Sequence, residues 1–361
     1  MSDHLNIIRS NARIADEQGM FPGPNLIALA DSKLPLLVLD GGEMMQAAAA
    51  VEEVSSCCAS TGLLLAMHYI YSFKIMTDDY GDEERDGVRR AASNGYLINT
   101  FGVDNEMGSM NRGGVPPTKL IKKGSSWFVH GHKIYCSGAK QLGYYLVRCH
   151  VQDGVDDNRA AFVLVKSSSS SIEIRDTWHH LGLRASESHD VLFHEVQVSE
   201  GSLGTFVPLF PPKPARHGLW NDVMLSSMYN GIAKAARSWF VDFLKERKPT
   251  NLGASLATVG RLQDQLGMMD TEITNTDLLI QAGIRLYNED KLGSVKANQI
   301  KTLAAENSIT AIEIAVKNSG NHGLTRHNDL ERHWRDIQTA RVNMPQADMV
   351  YSRAGKALLG I

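Results

Sequence analysis

Cysteine is scarce: the 361 residues hold four, Cys57, Cys58, Cys136 and Cys149. The vicinal pair cannot close an ordinary disulfide, and no spacing matches a zinc knuckle or a Cys-x-x-Cys redox motif, so four reduced, packed thiols are expected. An excess of either charge is also missing. With 37 basic and 40 acidic side chains the formal net charge is −3, which excludes the electrostatic footprint of a nucleic-acid or anionic-membrane partner. No apolar run reaches the roughly 18 residues of a bilayer span, and the stretch from Thr61 to Ile70 is interrupted by His68. The first residues lack a basic segment leading into an apolar one, so no secretory signal is read and a cytoplasmic location is expected. Nor is there a Gly-x-Gly-x-x-Gly after a strand, a P-loop or a His-Glu-x-x-His. His179, His180, His189 and His194 have no carboxylate or cysteine at ligand spacing, and no metal site is expected.

What is present points to a large buried core. The chain is 43% hydrophobic and 21% charged, and its length exceeds what one compact unit usually holds. Apolar positions recur at helical spacing up to about Asn99, with Ala47, Val51, Val54, Cys58, Gly62, Leu65 and Tyr69 on the stripe of one buried helix. Between Thr100 and Val207 the pattern changes to short β-rich runs: Trp127 to His130, Tyr144 to His150, Ala161 to Val165, Ile172 to Arg175 and Val191 to Phe193. The serine run Ser167 to Ser171 reads as a solvated hairpin loop. Pro211-Pro212-Lys213-Pro214 then breaks the chain. Beyond it Met224, Met228, Ile232, Ala235, Trp239 and Phe243 lie at steps of three or four, followed by two more such patterns. The segregated order implies an α+β protein with a helical unit at 1–99, a β unit at 100–207 and a helical bundle at 208–361.

The stretch from Thr118 through Gly131-His132-Lys133-Ile134-Tyr135-Cys136-Ser137 to Ala139 resembles, without a gap, the middle-domain signature of the acyl-CoA dehydrogenase superfamily. Asn105-Glu106-Met107-Gly108-Ser109 looks like the family's Thr-Glu-Pro-Gly segment, and Leu181-Gly182-Leu183-Arg184-Ala185-Ser186 like its Leu-Gly-x-Arg-x-Ser element. Gly323 to Asp336 is similar to the segment that ends in Arg-Asp. The resemblance implies an N-terminal all-α domain, a β-barrel-like middle domain and a C-terminal four-helix bundle. It further implies a flavin between the last two, shared across a subunit boundary, in a homo-oligomer that is usually a tetramer.

The family's pattern also assigns residues. Ser137 falls on the Thr/Ser beside the flavin N5 edge, Tyr135 on the aromatic that covers the ring, and Asn105 on a hydrogen-bonding threonine. Fixed donors are needed there because charge appears on the ring when it is reduced. Ser319 and Gly320 occupy the glycine loop that receives the pyrophosphate. FAD is the expected cofactor, with FMN as the alternative, since Ser319 replaces the loop's first glycine and Leu252 the aromatic of an adenine clamp.

A dehydrogenase of this family needs a carboxylate to remove the substrate α-proton. Its two usual positions fall here on Met344 and Asn221, neither of which is a base. Asp222 is the provisional base, the other reading being a helix N-cap with a first-turn carboxylate. Two-component monooxygenases of the same family need no such base. For that branch His68, Ser137 and Asn343 are the candidates, His68 reading equally as a core residue. The partners implied are a small-molecule substrate, whose pocket would involve Met44, Met67, Met110, Trp220 and Met224, and either an electron-transfer flavoprotein or a flavin reductase. A flavin- or acyl-binding homologue without turnover is the third class.

Overall fold

The computed structural model describes residues 3–107, 114–210 and 216–361. The Pro211 to Pro214 breaker, Met110, and Gly108 and Ser109 of the Asn105 segment lie outside them. Five helices come first: α1 (Asp3–Gln18), α2 (Gly23–Ser32), α3 (Met44–Cys57), α4 (Ala59–Thr77) and α5 (Asp82–Ser93). The single stripe expected through Cys58 is two helices. Cys58 is extended (φ −150°, ψ 110°), which turns α4 back against α3. Gly62 permits this contact, because a Cβ there would lie 2.0 Å from Ser55 Oγ. α4 is buried nearly all round, with Leu64, Leu65, Ala66, Tyr69, Ile70 and Ile75 in the core.

Strands follow: β1 (Leu97–Phe101), β2 (Val103–Asp104), β3 (Lys119–Lys123), β4 (Ser126–Cys136), β5 (Leu142–Gln152), β6 (Arg159–Lys166), β7 (Ile172–Arg175), β8 (His189–Val198) and β9 (Val207–Pro208). Among the described residues they form one mixed sheet in the order β7-β8-β4-β3-β5-β6-β9, with β1 on β5 and β2 on β4. The sheet is open, since its end strands β7 and β9 pair with β8 and β6 and not with each other. Ser167–Ser171 is not a hairpin loop: it joins β6 to β7, which pair with different strands. Alternation is clearest in β4, where Trp127, Val129 and Lys133 are buried, and a register shift after Lys133 buries Cys136 as well.

The remaining helices are α6 (Arg216–Glu246), α7 (Gly260–Asn288), α8 (Ser294–Ser319), α9 (Leu330–Ile337) and α10 (Ala347–Leu359). α6 is the central element, packed on α7 and α8 on one side and on α3 and α4 on the other. No helix among the described residues is long and apolar enough to cross a membrane. All four cysteines are free and buried, as the sequence implied.

Where α6 crosses α3, a Cβ on Gly231 would sit 2.3 Å from the backbone oxygen of Glu52. Gly231→Ala therefore forces two helices apart and is expected to lower stability by about 2 kcal/mol. Gly267→Ala on α7, with nothing within 4 Å of the new methyl, is expected to raise it by roughly 0.5–1 kcal/mol. Urea midpoints at constant slope measure both.

Candidate functional site

β4 ends in an aromatic ledge. Tyr135 has φ +56° and is 56% exposed. A non-glycine residue in that region is held there by its surroundings at an energetic cost. Here Cys136 pairs in register with His189 on β8 and turns the tyrosine outward. Its ring stands edge-on to Trp178 (6.5 Å, 80°) and to His180 (6.0 Å, 89°), and these two stack at 3.6 Å and 11°. Trp178 is fixed by its indole N–H to Leu183 O (3.0 Å) and its backbone N–H to His189 Nδ1 (3.3 Å). Burial, then the neighbouring His179, holds the His180 pKa below its ordinary value. Leu181, next in sequence to His180, is exposed.

Next to the ledge, Ser137 is anchored by Asn99 Nδ2 donating to its carbonyl (2.9 Å). Ser188 donates to Ser137 Oγ (2.8 Å), and Ser186 lies 2.7 Å from Ser188. When Ser186 donates to Ser188 and Ser188 to Ser137, the hydroxyl proton of Ser137 is the one the chain leaves unused. Asn105 follows β2 in an exposed turn, its N–H donating to His132 O (3.3 Å). The segment is pinned by a fully buried ion pair between Asp104 and Lys133 (2.7 Å). An exposed aromatic surface flanked by the Ser137 hydroxyl fits a flavin ring. Tyr135, Trp178, His180 and Ser137 are the residues that would hold it.

Ser319 and Gly320 are elsewhere, at the end of α8. The Ser319 hydroxyl is buried and donates to Ala315 O (2.6 Å), so it faces its own helix. Gly320 has φ +58° with open space around it, the conformation that a backbone approach to phosphate needs. Among the described residues no hydrogen bond or ring contact joins them to the ledge.

His68 is fully buried, with both nitrogens engaged. Nε2 is 2.7 Å from Pro35 O, and Nδ1 accepts the Ile98 N–H at 3.1 Å. This is a satisfied core histidine, and the pocket-facing alternative does not fit the geometry. Burial pushes its pKa from 6.5 down to about 4. Because the unfolded chain binds the proton more readily, the stabilisation is complete above pH 6.5 and is lost as the pH falls to about 4. The loss for this group is on the order of 3 kcal/mol. His68→Gln is expected to give a shallower fall of the urea midpoint between those pH values.

Asp222 and Asn343 are brought together in the bundle. α6 has begun by Arg216, so Asp222 lies in its second turn, buried, and is not a first-turn carboxylate beside an N-cap. Asn298 Nδ2 donates to Asp222 Oδ2 (2.6 Å) and Asn221 Nδ2 to Oδ1 (3.4 Å). Burial raises the Asp222 carboxyl to about 7, the positive charge of Lys301 opposing the shift. Burial likewise brings the Lys301 ammonium down to about 8, against the attraction of Asp222. Lys301 also donates to the carbonyls of Asn343 and of Pro345 (2.8 Å), on either side of Met344. The Asn343 amide donates to Tyr229 OH (3.0 Å). Sequence reading missed Lys301, Asn298 and Tyr229; the available signal was an ionisable residue in the apolar stripe of α8 beside Ile300 and Ala304.

Residues 104–196 match the family model of the acyl-CoA dehydrogenase middle domain, and residues 223–344 that of the acyl-CoA dehydrogenase C-terminal domain. The chain is 28% identical over 350 residues to YdbM of Bacillus subtilis (strain 168), assigned by name to the acyl-CoA dehydrogenases, with 93% of this chain and 89% of that one covered. Butyryl-CoA dehydrogenase from Megasphaera elsdenii superposes with a TM-score of 0.85 at 16% identity over 99% of both chains. FMN-bound TdsC from Paenibacillus sp. A11-2 gives 0.84 at 18% identity over 99% of this chain and 96% of that one. At such identities the two structures establish a common fold.

Proposed function

We infer that this chain, which belongs to the acyl-CoA dehydrogenase superfamily, is a flavin-dependent oxidoreductase that dehydrogenates a small molecule of the acyl-thioester type, with FAD as the cofactor. The observation that carries the reading is the Asp222 site: a carboxyl raised to about 7, oriented by Asn298 and opposed by Lys301. A general base works best when its pKa lies near the operating pH. A flavin held at the ledge supplies a two-electron acceptor. Ionised Asp222 takes the proton of the carbon acid and becomes neutral, Lys301 offsets the charge of the carboxylate before that transfer, and Asn298 fixes its orientation. The Ser137 hydroxyl, which accepts from Ser188, would donate to the ring.

A homo-oligomer, most simply a tetramer, is in keeping with Met268 and Leu278 on α7 and Leu303 on α8, which are 54%, 59% and 43% exposed. An electron-transfer flavoprotein would then reoxidise the enzyme. One observation favours the second reading, a monooxygenase fed by a flavin reductase: neither Met344 nor Asn221 offers a carboxylate, and Asp222 is only 2% exposed. Asp222→Asn tests the choice, since only dehydrogenation requires that carboxylate. Activity retained to within tenfold would exclude the first reading.

A further inference from the structure

A second polar site lies on the same elements, and nothing in the proposed reaction uses it. Arg148 on β5 donates from Nη2 to Leu209 O (3.1 Å) and lies over the Phe162 ring, 5.7 Å from its centroid. Its Nε is buried without a hydrogen-bond partner. No carboxylate among the described residues lies within 4 Å of the guanidinium, and burial lowers its pKa, with Asp104 and Tyr71 only partly offsetting that. A half-buried cation without a counter-ion in contact and with a buried, unpartnered Nε is unfavourable for the fold. Facing it is His217 on the first turn of α6, edge-on to Phe162 (5.7 Å, 81°) and 6.1 Å from Tyr71. Neither of its ring nitrogens has a hydrogen bond among the described residues. Burial, then the charge of Lys74, keeps that imidazole neutral, its pKa lowered to about 4. Lys74 itself is engaged with Asp78 (2.6 Å), and the Asp78 carboxylate also accepts from Thr205. The unused donors around the Phe162 and Tyr71 rings therefore belong to Arg148 and His217.

We propose that Arg148 and His217 bind a carboxylate at the far end of the substrate, so that the molecule oxidised is an anionic acyl compound. This rests on the dehydrogenase reading for the word substrate, whereas the binding of a carboxylate does not. The placement follows from α4, whose Leu64 packs at Gly138 beside Ser137 and whose Tyr71 reaches His217. At 1.5 Å per residue these positions are separated by on the order of 10 Å along the helix. Leu64 and Tyr71 are seven residues apart and share one face of α4, which sets the reach required of the substrate between Ser137 and His217.

Calorimetry of the flavin-loaded protein with dicarboxylates from malonate to suberate, and with glutaramide as the neutral control, tests the site. At least one diacid is expected to bind with Kd below about 10 mM, and Arg148→Met to weaken it by about tenfold or more. Glutaramide should give no heat. Because the unpaired cation is removed, Arg148→Met is expected to melt at or above the wild-type temperature. The inference is overturned if no diacid binds, if Arg148→Met binds as well as the wild type, or if the variant melts more than about 4 °C lower, which would mark Arg148 as structural. Retention of diacid binding in Asp222→Asn, whatever its turnover, separates this site from the assignment of the base.

Discussion

Asp222→Asn is expected to reduce kcat/KM on an acyl-CoA panel by about 10²–10⁴-fold while flavin content and the urea midpoint stay near wild type. The substitution keeps the size of the side chain and leaves an oxygen to accept from Asn298. Lys301 keeps its two carbonyl partners at Asn343 and Pro345. What disappears is the ability to hold a proton. The pH profile gives the more specific signature: the base acts only when ionised and its carboxyl is raised to about 7. Wild-type kcat/KM should therefore climb with pH and reach half its plateau close to neutrality. In Asp222→Asn that acidic limb should be missing from the residual activity. Activity within tenfold of wild type, with the limb intact, would remove Asp222 from the chemistry and leave the oxygen-dependent reading. Anaerobic reduction followed by mixing with oxygen would then decide, since protected oxygen chemistry delays the return of the oxidised absorbance.

Much of the fold was legible because it is local. The stripes at Met224, Met228 and Ile232 and the runs at Ile172 to Arg175 and Ala161 to Val165 each mark a real element. The failures share a cause, which is contact at long range. The helical unit read up to Asn99 takes in Leu97–Asn99, yet these residues open strand β1 because it pairs in parallel with β5 some 45 residues later. The stripe through Cys58 keeps its apolar period across a break that only the packing of Gly62 on Ser55 makes visible. Serines between β6 and β7 read as a hairpin loop because pairing partners are not encoded in the loop.

The site divides in the same way. The family pattern singles out Tyr135 and Ser137, but the positive φ that exposes the tyrosine and the Trp178–His180 stack beside it arise from β4 meeting β8. His68 could be read two ways from its helix alone, and a carbonyl 33 residues earlier, at Pro35, settles its role. The N-cap reading of Asp222 failed because α6 starts earlier than its local signals imply. Lys301 is 79 positions from the carboxylate it opposes; its place in the apolar stripe of α8 marks one partner, and only the packing of α8 on α6 makes the pair visible.

Lys133→Met is expected to destabilise the protein by about 3–5 kcal/mol, the largest stability effect predicted for a single side chain. Lys133 is 0% and Asp104 1% exposed, and their contact is 2.7 Å. Removing the ammonium leaves a carboxylate in the interior with, among the described residues, only the Thr118 amide and hydroxyl donating to it. Restoring neutrality with Asp104→Asn in the same chain should recover part of the loss, because the cost is that of an orphaned charge rather than of a missing contact. The consequence reaches the ledge. β4 carries both Lys133 and Tyr135, and β2 carries Asp104 into the turn at Asn105, so the ion pair fixes the two segments expected to grip the ring. A urea titration read by tryptophan fluorescence, alongside flavin retained after dialysis, should show both quantities falling in Lys133→Met and both rising again in the double variant. If stability recovers but retention does not, the pair serves the fold alone, and the flavin must be gripped by residues other than Asn105 and Tyr135.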